Sequence, residues 1–401
     1  MQYRTDKKTG NKLSVLGYGG MRFPGILGNI DMRKTEELIM RAIEGGINYF
    51  DTAWIYPGSE EALGSIFKKN HVRDKVYIAT KLPLVLIKGP ADFDKYFNQE
   101  LKRLFTGYID YYLMHMITDM EQWEKFKQWG IEEWIAGKKK AGLIGQVGFS
   151  FHGGLTEFEH VVDDYDWNMC LIQYNYSNEN FQAGKTGLRK AAEKMPVMIM
   201  EPLLGGKLAT GLPRAATEIF KKANPEISPA AWGLNWVWNQ REVTLLLSGM
   251  SSMAQLEENL RLADAVYPDM LNQGDLDVYS RVLEVVNKSF KIHCTGCNYC
   301  MPCPKGVNIP GCFAGYNAVY SMGYVAGMQQ FITSTGLMVQ RSSSPSLCVR
   351  CGKCETHCPQ HLPIMEHLAR VKWYMEPFWV KFIGVCARAF MGVKRIKPGR
   401  K

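Results

Sequence analysis

Eight cysteines lie in two short runs in the last third of the chain and are its strongest chemical signal. The second run has the spacing C-x2-C-x2-C-x3-C-P, which is typical of [4Fe–4S] ligands, and the first run is one residue shorter in its last gap. In that pattern three closely spaced thiolates bind one [4Fe–4S] cubane, and the fourth ligand comes from the other run. The predicted ligands are Cys294, Cys297, Cys300 and Cys358 for cluster one, and Cys303, Cys348, Cys351 and Cys354 for cluster two.

Structural zinc is the competing interpretation of these cysteines. Zinc sites more often combine two separated cysteine pairs, whereas each run here has four cysteines followed directly by Pro304 or Pro359. The spacing therefore favours iron–sulfur clusters. The first residues are polar and charged, without the apolar core of an export signal, so we expect a cytoplasmic protein with reduced thiols.

Four polar residues in the N-terminal part could transfer a proton. Asp51, Lys81 and His115 come directly after three successive predicted strands, and Tyr56 lies five residues past the first of them. A buried cation and imidazole would make the Tyr56 phenol easier to deprotonate, while Asp51 would pair with Lys81. Such a phenol can donate a proton to a carbonyl oxygen as a hydride reaches the carbon. Each residue alone could be an ordinary loop or core group, but four at successive strand ends favour a site.

Eight predicted strands alternate with eight predicted helices over about 250 residues, which is the size of a TIM barrel. We therefore predict a (β/α)8 barrel, in which the strands' carboxyl ends bring the four polar residues to one mouth. A small hairpin at residues 1–12 precedes the barrel, and residues 204–228 form a long seventh loop that could act as a lid or cofactor strap. The predicted strands are 13–16, 48–50, 76–80, 111–114, 144–149, 170–173, 197–200 and 244–247; the helices are 35–44, 59–69, 92–105, 123–140, 155–162, 185–194, 229–239 and 253–263.

Ordered motifs extend across the same region, between residues 13 and 265. They are Gly45–Ala53, Tyr56, Ala79–Lys81, Tyr112–His115, Gly148–Ser150, Gln173–Asn175, Glu201–Gly206 and Gly249–Ser251, followed by Gln255, Glu258 and Asn259. This part of the chain resembles the aldo-keto reductase superfamily. The resemblance implies a (β/α)8 barrel that binds NAD(P)H without a Rossmann fold and acts on a small carbonyl or alcohol. It also implies that Tyr56 is the general acid, with Asp51, Lys81 and His115 as its partners.

The resemblance also implies a set of cofactor contacts. Two departures from the family leave flavin as an alternative cofactor: Met200 stands where an aromatic ring is common, and Glu201 stands where a small Ser is common. Lys207 would neutralise the Glu201 carboxylate beside the pyrophosphate. No basic residue adjoins Ser251 and Ser252, so the choice between NAD and NADP stays open. The implied contacts are Gly20, Met21, Ser150, Gln173, Leu203, Gly205, Lys207, Gly249, Ser251, Gln255, Glu258 and Asn259.

A second predicted domain carries the cysteines. The residues between the two runs recur at helical spacing, and this region resembles the α-helical ferredoxin domains of respiratory enzymes. A barrel followed by such a module resembles the ferredoxin-type aldo/keto reductases. The predicted organisation is a barrel at 1–270, a connecting helix at 271–290, a two-[4Fe–4S] domain at 291–371 and a basic tail at 372–401.

The positive charge of the chain is concentrated in this tail. The formal net charge is +9, of which eight bases and one acid after residue 371 contribute +7, so a general nucleic-acid surface is not indicated. From Phe378 onward apolar residues recur at helical spacing, with bases on another face. The tail could pack on its own protein, or it could dock on an anionic membrane surface or an acidic partner.

The main hypothesis is an NAD(P)-dependent oxidoreductase that interconverts carbonyls and alcohols and is coupled to electron transfer through two [4Fe–4S] clusters. A hydride carries two electrons and a cluster one, so a flavin or a redox partner protein would have to mediate, or else the clusters are structural. The alternative is an electron-transfer protein whose barrel binds a nucleotide or flavin without reducing carbonyls. A weaker third interpretation is a membrane-associated scaffold.

Overall fold

The structure is a computed structural model that describes residues 1–26, 29–289, 291–292, 294, 300–335, 343–358, 362–378 and 380. The chain divides into two compact units. The first, here the barrel unit, comprises Met1–Ala209 and Ile227–Leu276, and the second, here the C-terminal unit, comprises Thr210–Glu226 and Asp277–Lys401. Part of the long loop predicted at 204–228 thus belongs to the C-terminal unit.

The barrel unit contains a closed barrel of eight parallel strands in the order β3-β6-β7-β8-β9-β10-β11-β12. The predicted (β/α)8 fold is therefore confirmed. Inward side chains of these strands, among them Leu113, Leu171 and Leu245, fill the interior as a packed apolar core. The barrel strands are β3 (Leu16–Gly19), β6 (Tyr49–Asp51), β7 (Tyr77–Leu82), β8 (Ile109–Ile117), β9 (Ile144–Phe151), β10 (Met169–Gln173), β11 (Val197–Met200) and β12 (Val243–Ser248).

The first barrel strand lies further along the chain than predicted. Residues 12–14 belong to β2 (Lys12–Ser14), which pairs antiparallel with β1 (Tyr3–Thr5), and the barrel strand starts only at Leu16. The strand prediction at 13–16 was wrong. Leu13 is as fully buried as a barrel-strand residue, but it belongs to the hairpin and packs against the barrel core from there. A second short hairpin, β4 (Gly25–Ile26) with β5 (Asn29–Ile30), follows β3.

Helices surround the barrel as predicted, with one exception. The helix predicted at 123–140 is two helices, because Gly130 adopts φ 78°, a left-handed conformation that interrupts an α-helix. Ser228 caps its helix through the amide of Ala231, and Pro229 occupies the first turn, where proline loses no hydrogen bond. The helices of the barrel unit are α1 (Met32–Glu44), α2 (Ser59–Lys69), α3 (Ala91–Arg103), α4 (Met120–Gln128), α5 (Ile131–Lys140), α6 (Leu155–Asp164), α7 (Gly184–Lys194), α9 (Pro229–Trp238) and α10 (Met253–Ala265).

The described part of the C-terminal unit is helical, as predicted for the region between the cysteine runs. Its core includes Phe313, Phe331 and Leu368. Glycine allows two of its helices to pack closely: a Cβ atom on Gly327 would lie 2.3 Å from the backbone nitrogen of Val319. The elements are α8 (Arg214–Ala223), α11 (Gln273–Ser289), which starts in the barrel unit, α12 (Ile309–Met322), α13 (Tyr324–Thr335), α14 (Lys353–Thr356) and α15 (Ile364–Met375).

The predicted tail begins inside α15 at residue 372, and its residues from 381 onward lie outside the described residues. Among the described residues, no helix combines the length and the apolar character needed to cross a bilayer.

Candidate functional site

The barrel brings the predicted proton-transfer residues together at the carboxyl ends of three adjacent strands. Asp51 ends β6, Lys81 lies next to the end of β7, and His115 lies near the end of β8. Lys81 Nζ donates hydrogen bonds of 2.6 Å to Asp51 Oδ1 and of 2.6 Å to the carbonyl oxygen of Thr52. The pair is enclosed, since Lys81 is 1% and Asp51 4% exposed.

The phenol of Tyr56 lies over this ion pair, in the loop between β6 and α2. Lys81 Nζ is 5.2 Å from the centre of the Tyr56 ring, and the His115 ring lies edge-on at 6.0 Å. Tyr56 is half-buried, whereas Asp51 and Lys81 beneath it are buried. All four residues predicted from the sequence therefore share one site.

The charges of the site favour a protonated phenol above a lysine cation. Burial is the largest influence and lowers the pKa of Lys81, but Asp51, Tyr56 and Glu60 together outweigh it, so the net shift of the lysine pKa is upward. Burial raises the pKa of Tyr56, while the charge of Lys81 opposes that rise and favours the phenolate. Burial also raises the pKa of Asp51 against the attraction of Lys81. The site can thus hold a neutral phenol and stabilise the anion left after proton donation.

His115 is neutral in this setting. Burial first, then the charges of Lys81 and His152, lower the pKa of its imidazole to about 2. Its Nδ1 has no hydrogen-bond partner among the described residues. A neutral imidazole beside the phenol can make a hydrogen bond to a substrate oxygen without competing as a charge. His152, two residues after Ser150, lies close enough to act on His115, and burial lowers the pKa of His152 as well.

A set of contacts among Arg103, Trp54 and Glu60, here called the clamp, holds the loop that carries Tyr56 and was not predicted from the sequence. The Arg103 guanidinium lies 4.6 Å from the ring centre of Trp54, and its Nη1 is 3.3 Å from the Trp54 carbonyl oxygen. The same Nη1 is 3.2 Å from Glu60 Oε2, and Thr80 donates a 2.6 Å hydrogen bond to the other carboxylate oxygen. Trp54 stands two residues before Tyr56, so α3, α2 and β7 together fix the start of this loop. No local pattern signals this clamp, because its members are far apart in sequence.

The predicted nicotinamide contacts lie on neighbouring strands of the same mouth. Ser150 and Gln173 are buried near the ends of β9 and β10, and Ser150 Oγ accepts a 2.8 Å hydrogen bond from the Met116 amide. Gly20 is buried at the end of β3, where a Cβ atom would lie 2.8 Å from Ser59 Oγ. Met21 beside it is 62% exposed.

The predicted pyrophosphate loop follows β11. Gly205 has φ 66°, and its carbonyl accepts a 3.0 Å hydrogen bond from Arg22, which follows β3. Burial lowers the pKa of Lys207 in this loop, and the charge of the Glu201 carboxylate opposes that shift. Glu201 itself has φ 53°, an uncommon conformation for a side-chain-bearing residue that is typical of functional loops. Leu203, half-buried, lies just before the turn.

The predicted adenosine contacts cluster at the start of α10. Gln255 Oε1 accepts a 2.9 Å hydrogen bond from the Ser251 amide, and Asn259 Nδ2 donates a 3.0 Å bond to Ser248. Gly249 stands close to β3, since a Cβ atom there would lie 3.6 Å from the Gly19 carbonyl oxygen. Glu258 is half-buried on the same helix. Amides at a helix start, serine hydroxyls and the side chains of Lys207 and Arg22 are donors that suit a dinucleotide, so the residues present fit NAD(P)H.

The C-terminal unit encloses a cavity lined by all four predicted ligands of cluster two. Cys303, Cys348, Cys351 and Cys354 line it together with Pro304, Ile309, Met365 and Leu368, and its space, including the opening to solvent, is about 330 Å³. Thiolate donors in an apolar wall suit an iron–sulfur cluster, so these residues fit the predicted group.

Three of the four predicted ligands of cluster one lie among the described residues. Cys294, Cys300 and Cys358 are half-buried and pack against the core of the unit, and Cys297 lies outside the described residues. In the part of the chain that the structure describes, no three ligating side chains surround one point as a single-ion site requires.

Comparisons with known proteins agree with this architecture. The sequence profile of the Aldo/keto reductase family matches residues 15–273, and that of a 4Fe–4S dicluster domain matches residues 293–362. The chain is 26% identical over 309 residues to "L-glyceraldehyde 3-phosphate reductase" of Escherichia coli K12, covering 65% of this chain and 87% of that protein. It is 22% identical over 333 residues to "Probable voltage-gated potassium channel subunit beta" of Arabidopsis thaliana, covering 71% of this chain and 97% of that protein.

The fold has a counterpart among solved structures. The holo form of the aldo-keto reductase AKR11C1 from Bacillus halodurans superposes with a TM-score of 0.57 at 21% identity, covering 70% of this chain and 96% of that one. Barrel topology, the order of the motifs and the profile match over more than half of the residues agree with one another. The chain belongs to the aldo/keto reductase family of oxidoreductases and carries a 4Fe–4S dicluster domain towards its C-terminal end.

Proposed function

We propose that the barrel reduces a small carbonyl compound, or oxidises the corresponding alcohol, with Tyr56 as the proton donor. The observation that carries this proposal is the buried Lys81–Asp51 ion pair, whose ammonium lies 5.2 Å from the centre of the Tyr56 ring. Bound NAD(P)H supplies the hydride. Similarity to the L-glyceraldehyde 3-phosphate reductase of Escherichia coli supports a small aldehyde as the class of substrate.

Side chains of the barrel carry out the transfer of the proton. The Tyr56 hydroxyl donates to the carbonyl oxygen, and the Lys81 cation stabilises the phenolate that remains. Neutral His115 makes a hydrogen bond to the same oxygen and orients it. Asp51 keeps the lysine charged and in place, because an unpaired buried ammonium would tend to lose its proton. In alcohol oxidation the same groups accept the proton.

We also propose the cofactor contacts and domain limits expected from the sequence. Ser150 and Gln173 would hold the carboxamide, the loop from Leu203 to Lys207 would meet the pyrophosphate, and the start of α10 would meet the adenosine. Flavin remains the alternative occupant, and the barrel, connecting helix, cluster domain and tail keep their predicted bounds of 1–270, 271–290, 291–371 and 372–401. The cysteines would remain reduced in the cytoplasm, where they can accept clusters.

The two [4Fe–4S] clusters would transfer single electrons. Cluster two would be held by the cysteines around the cavity, and cluster one by Cys294, Cys297, Cys300 and Cys358. A redox partner protein or a flavin would connect these single electrons to the two-electron step in the barrel. The basic tail would add peripheral contact with a membrane.

Replacement of Tyr56 by phenylalanine tests the proposal. Y56F should lose carbonyl reduction by at least about a hundredfold in kcat, the usual contribution of a general acid, and should keep its iron content and visible spectrum. Undiminished turnover in Y56F would exclude the assigned acid.

The second candidate is an electron-transfer protein whose barrel binds a nucleotide without reducing carbonyls. The cysteine-lined cavity of the C-terminal unit supports it, because thiolates there fit an electron-transferring cluster whether or not the barrel reduces carbonyls. Anaerobic addition of NADH or NADPH separates the two. Bleaching of the cluster absorption without carbonyl substrate shows coupled electron transfer, and carbonyl turnover that requires Tyr56 shows barrel chemistry.

A further inference from the structure

The C-terminal unit carries a connected group of large aromatic side chains, here called the aromatic patch: Tyr320, Tyr324 and Trp373 are exposed, and the half-buried Tyr374 lies between them. The Tyr374 ring lies 6.4 Å from Trp373, 6.1 Å from Tyr320 and 6.2 Å from Tyr324. Trp373 is 79% exposed, although tryptophan is usually among the more buried residue types. A contiguous apolar surface of this kind marks an interaction site.

The patch is anchored rigidly in the unit. Buried Tyr316 contacts it from below, with ring-centre distances of 5.2 Å to Tyr320 and 5.6 Å to Tyr374. Tyr320 also donates a 3.1 Å hydrogen bond to the Tyr316 hydroxyl. The rings are therefore held in place before any partner arrives, which reduces the entropy lost on binding.

Two exposed apolar residues stand close to patch residues in the sequence, and two bases lie near Tyr320. Val325 adjoins Tyr324 and is 80% exposed, and Phe378, just after α15, is 85% exposed. The Lys291 ammonium lies 5.2 Å from the Tyr320 ring centre, and Arg370 stands one helical turn before Tyr374. The chain beyond the patch, residues 381–401, contributes seven further bases and no acid.

This combination fits a lipid surface better than an acidic protein. Tryptophan and tyrosine have an apolar body and a polar tip, which suits the boundary between headgroups and acyl chains. Clusters of four to eight bases next to such an anchor are typical of segments that bind anionic lipid. These two observations are independent, because the arrangement of the rings is a structural finding and the charge of residues 381–401 is a property of the sequence.

We propose that the aromatic patch docks the protein on an anionic bilayer surface, with Trp373 and Phe378 inserted among the headgroups and Lys291 and Arg370 facing lipid phosphate. This deepens the membrane contact included in the proposed function, and it is independent of the chemistry in the barrel. The result is a peripheral attachment that keeps the C-terminal unit at the membrane surface.

Vesicle sedimentation of the anaerobically purified holoprotein tests the proposal. The vesicles contain phosphatidylcholine alone or phosphatidylcholine with phosphatidylglycerol. The patch variant is Trp373→Ala with Phe378→Ala, and the matched control is Phe105→Ala with Tyr267→Ala, two aromatic residues of the barrel unit that are 51% and 61% exposed. Iron content and thermal unfolding confirm that both variants are folded and loaded.

We expect the wild type to sediment with the phosphatidylglycerol vesicles and less so at high salt, because screening weakens the lipid–base attraction. The patch variant should bind at least roughly tenfold more weakly, since partial burial of one large ring already corresponds to a factor of this size. The control should bind as the wild type does.

Three results would overturn the proposal. The first is wild-type protein that stays in the supernatant with anionic vesicles. The second is equal sedimentation of the patch variant and the wild type. The third is a wild-type dimer that the patch variant dissociates while no vesicle binds, which would assign the patch to a second copy of the chain. None of these readouts uses turnover, so the carbonyl chemistry and the docking surface succeed or fail separately.

Discussion

Removal of the lysine cation beneath Tyr56 should affect stability and chemistry through the same buried charge. In Lys81→Met the apolar stem is kept, but Asp51, 4% exposed, loses its counter-ion. Breaking a buried ion pair on one side costs about 3–5 kcal/mol, because the remaining charge stays out of water. We expect K81M to lose about that much free energy of unfolding at neutral pH and to lose carbonyl reduction.

The pH dependence of this loss has a definite sign. Burial raises the pKa of Asp51 and Lys81 opposes the rise, so removing the lysine raises that pKa further. An acid with a raised folded pKa destabilises the protein as pH increases from the unfolded pKa through the folded one. The cost of K81M should therefore be small in acid, where Asp51 is protonated, and should reach its full size above the raised pKa.

A double variant separates the two roles of the pair. D51N/K81M removes both charges, so its stability should return to within about 1 kcal/mol of wild type while turnover stays lost. Urea unfolding followed by tryptophan fluorescence is suitable, because eight of the ten tryptophans lie in the barrel unit. Lys69→Met is the control: its 2.7 Å pair with Glu36 is exposed and should be worth less than about 1 kcal/mol. Equal losses in K81M and K69M, or a double variant no more stable than K81M, would refute the assigned buried ion pair.

Four further outcomes follow from the geometry. Arg103→Met should lower kcat and speed amide exchange at residues 53–58. Arg73→Met, the control, breaks an ion pair of similar geometry with Asp110 and should leave kcat and exchange unchanged. Equal amide exchange in these two variants would contradict the clamp. Cys351→Ser should remove about half of the iron, read by chemical assay, and leave nucleotide binding to the barrel intact. Gly327→Ala should destabilise the C-terminal unit by about 1–3 kcal/mol in thermal unfolding, because its Cβ would meet backbone of the facing helix. The pH–rate profile should show no limb from His115 between pH 5 and 8, since its pKa is about 2, and a limb that disappears in His115→Gln would contradict this.

Several features of the molecule could be predicted from local sequence patterns. Seven of the eight barrel strands follow from short apolar runs separated by amphipathic stretches, and helix α2 was predicted with the bounds that the structure has. The convergence of Asp51, Tyr56, Lys81 and His115 follows from their places at strand ends. The cavity shared by Cys303 and the second cysteine run agrees with the exchange of ligands between runs that the spacing indicates.

Other features required the complete fold. The first strand was placed too early because burial of Leu13 comes from the barrel core beneath the hairpin, which a local window does not contain. The break at Gly130 depends on a left-handed backbone, and helical periodicity continues on both sides of it. The contact between Arg103 and Trp54 joins residues 49 positions apart, so no spacing rule indicates it.

By itself, therefore, the sequence determined the kinds of donor, acceptor and ligand in this protein and the periodicity of the elements that bear them, since both are properties of neighbouring residues. Only the tertiary structure decided that the Lys81–Asp51 pair is closed off from water, that His115 is neutral, and that the rings around Trp373 face solvent. Burial and electrostatic environment depend on every group packed nearby, and those groups come from distant parts of the chain.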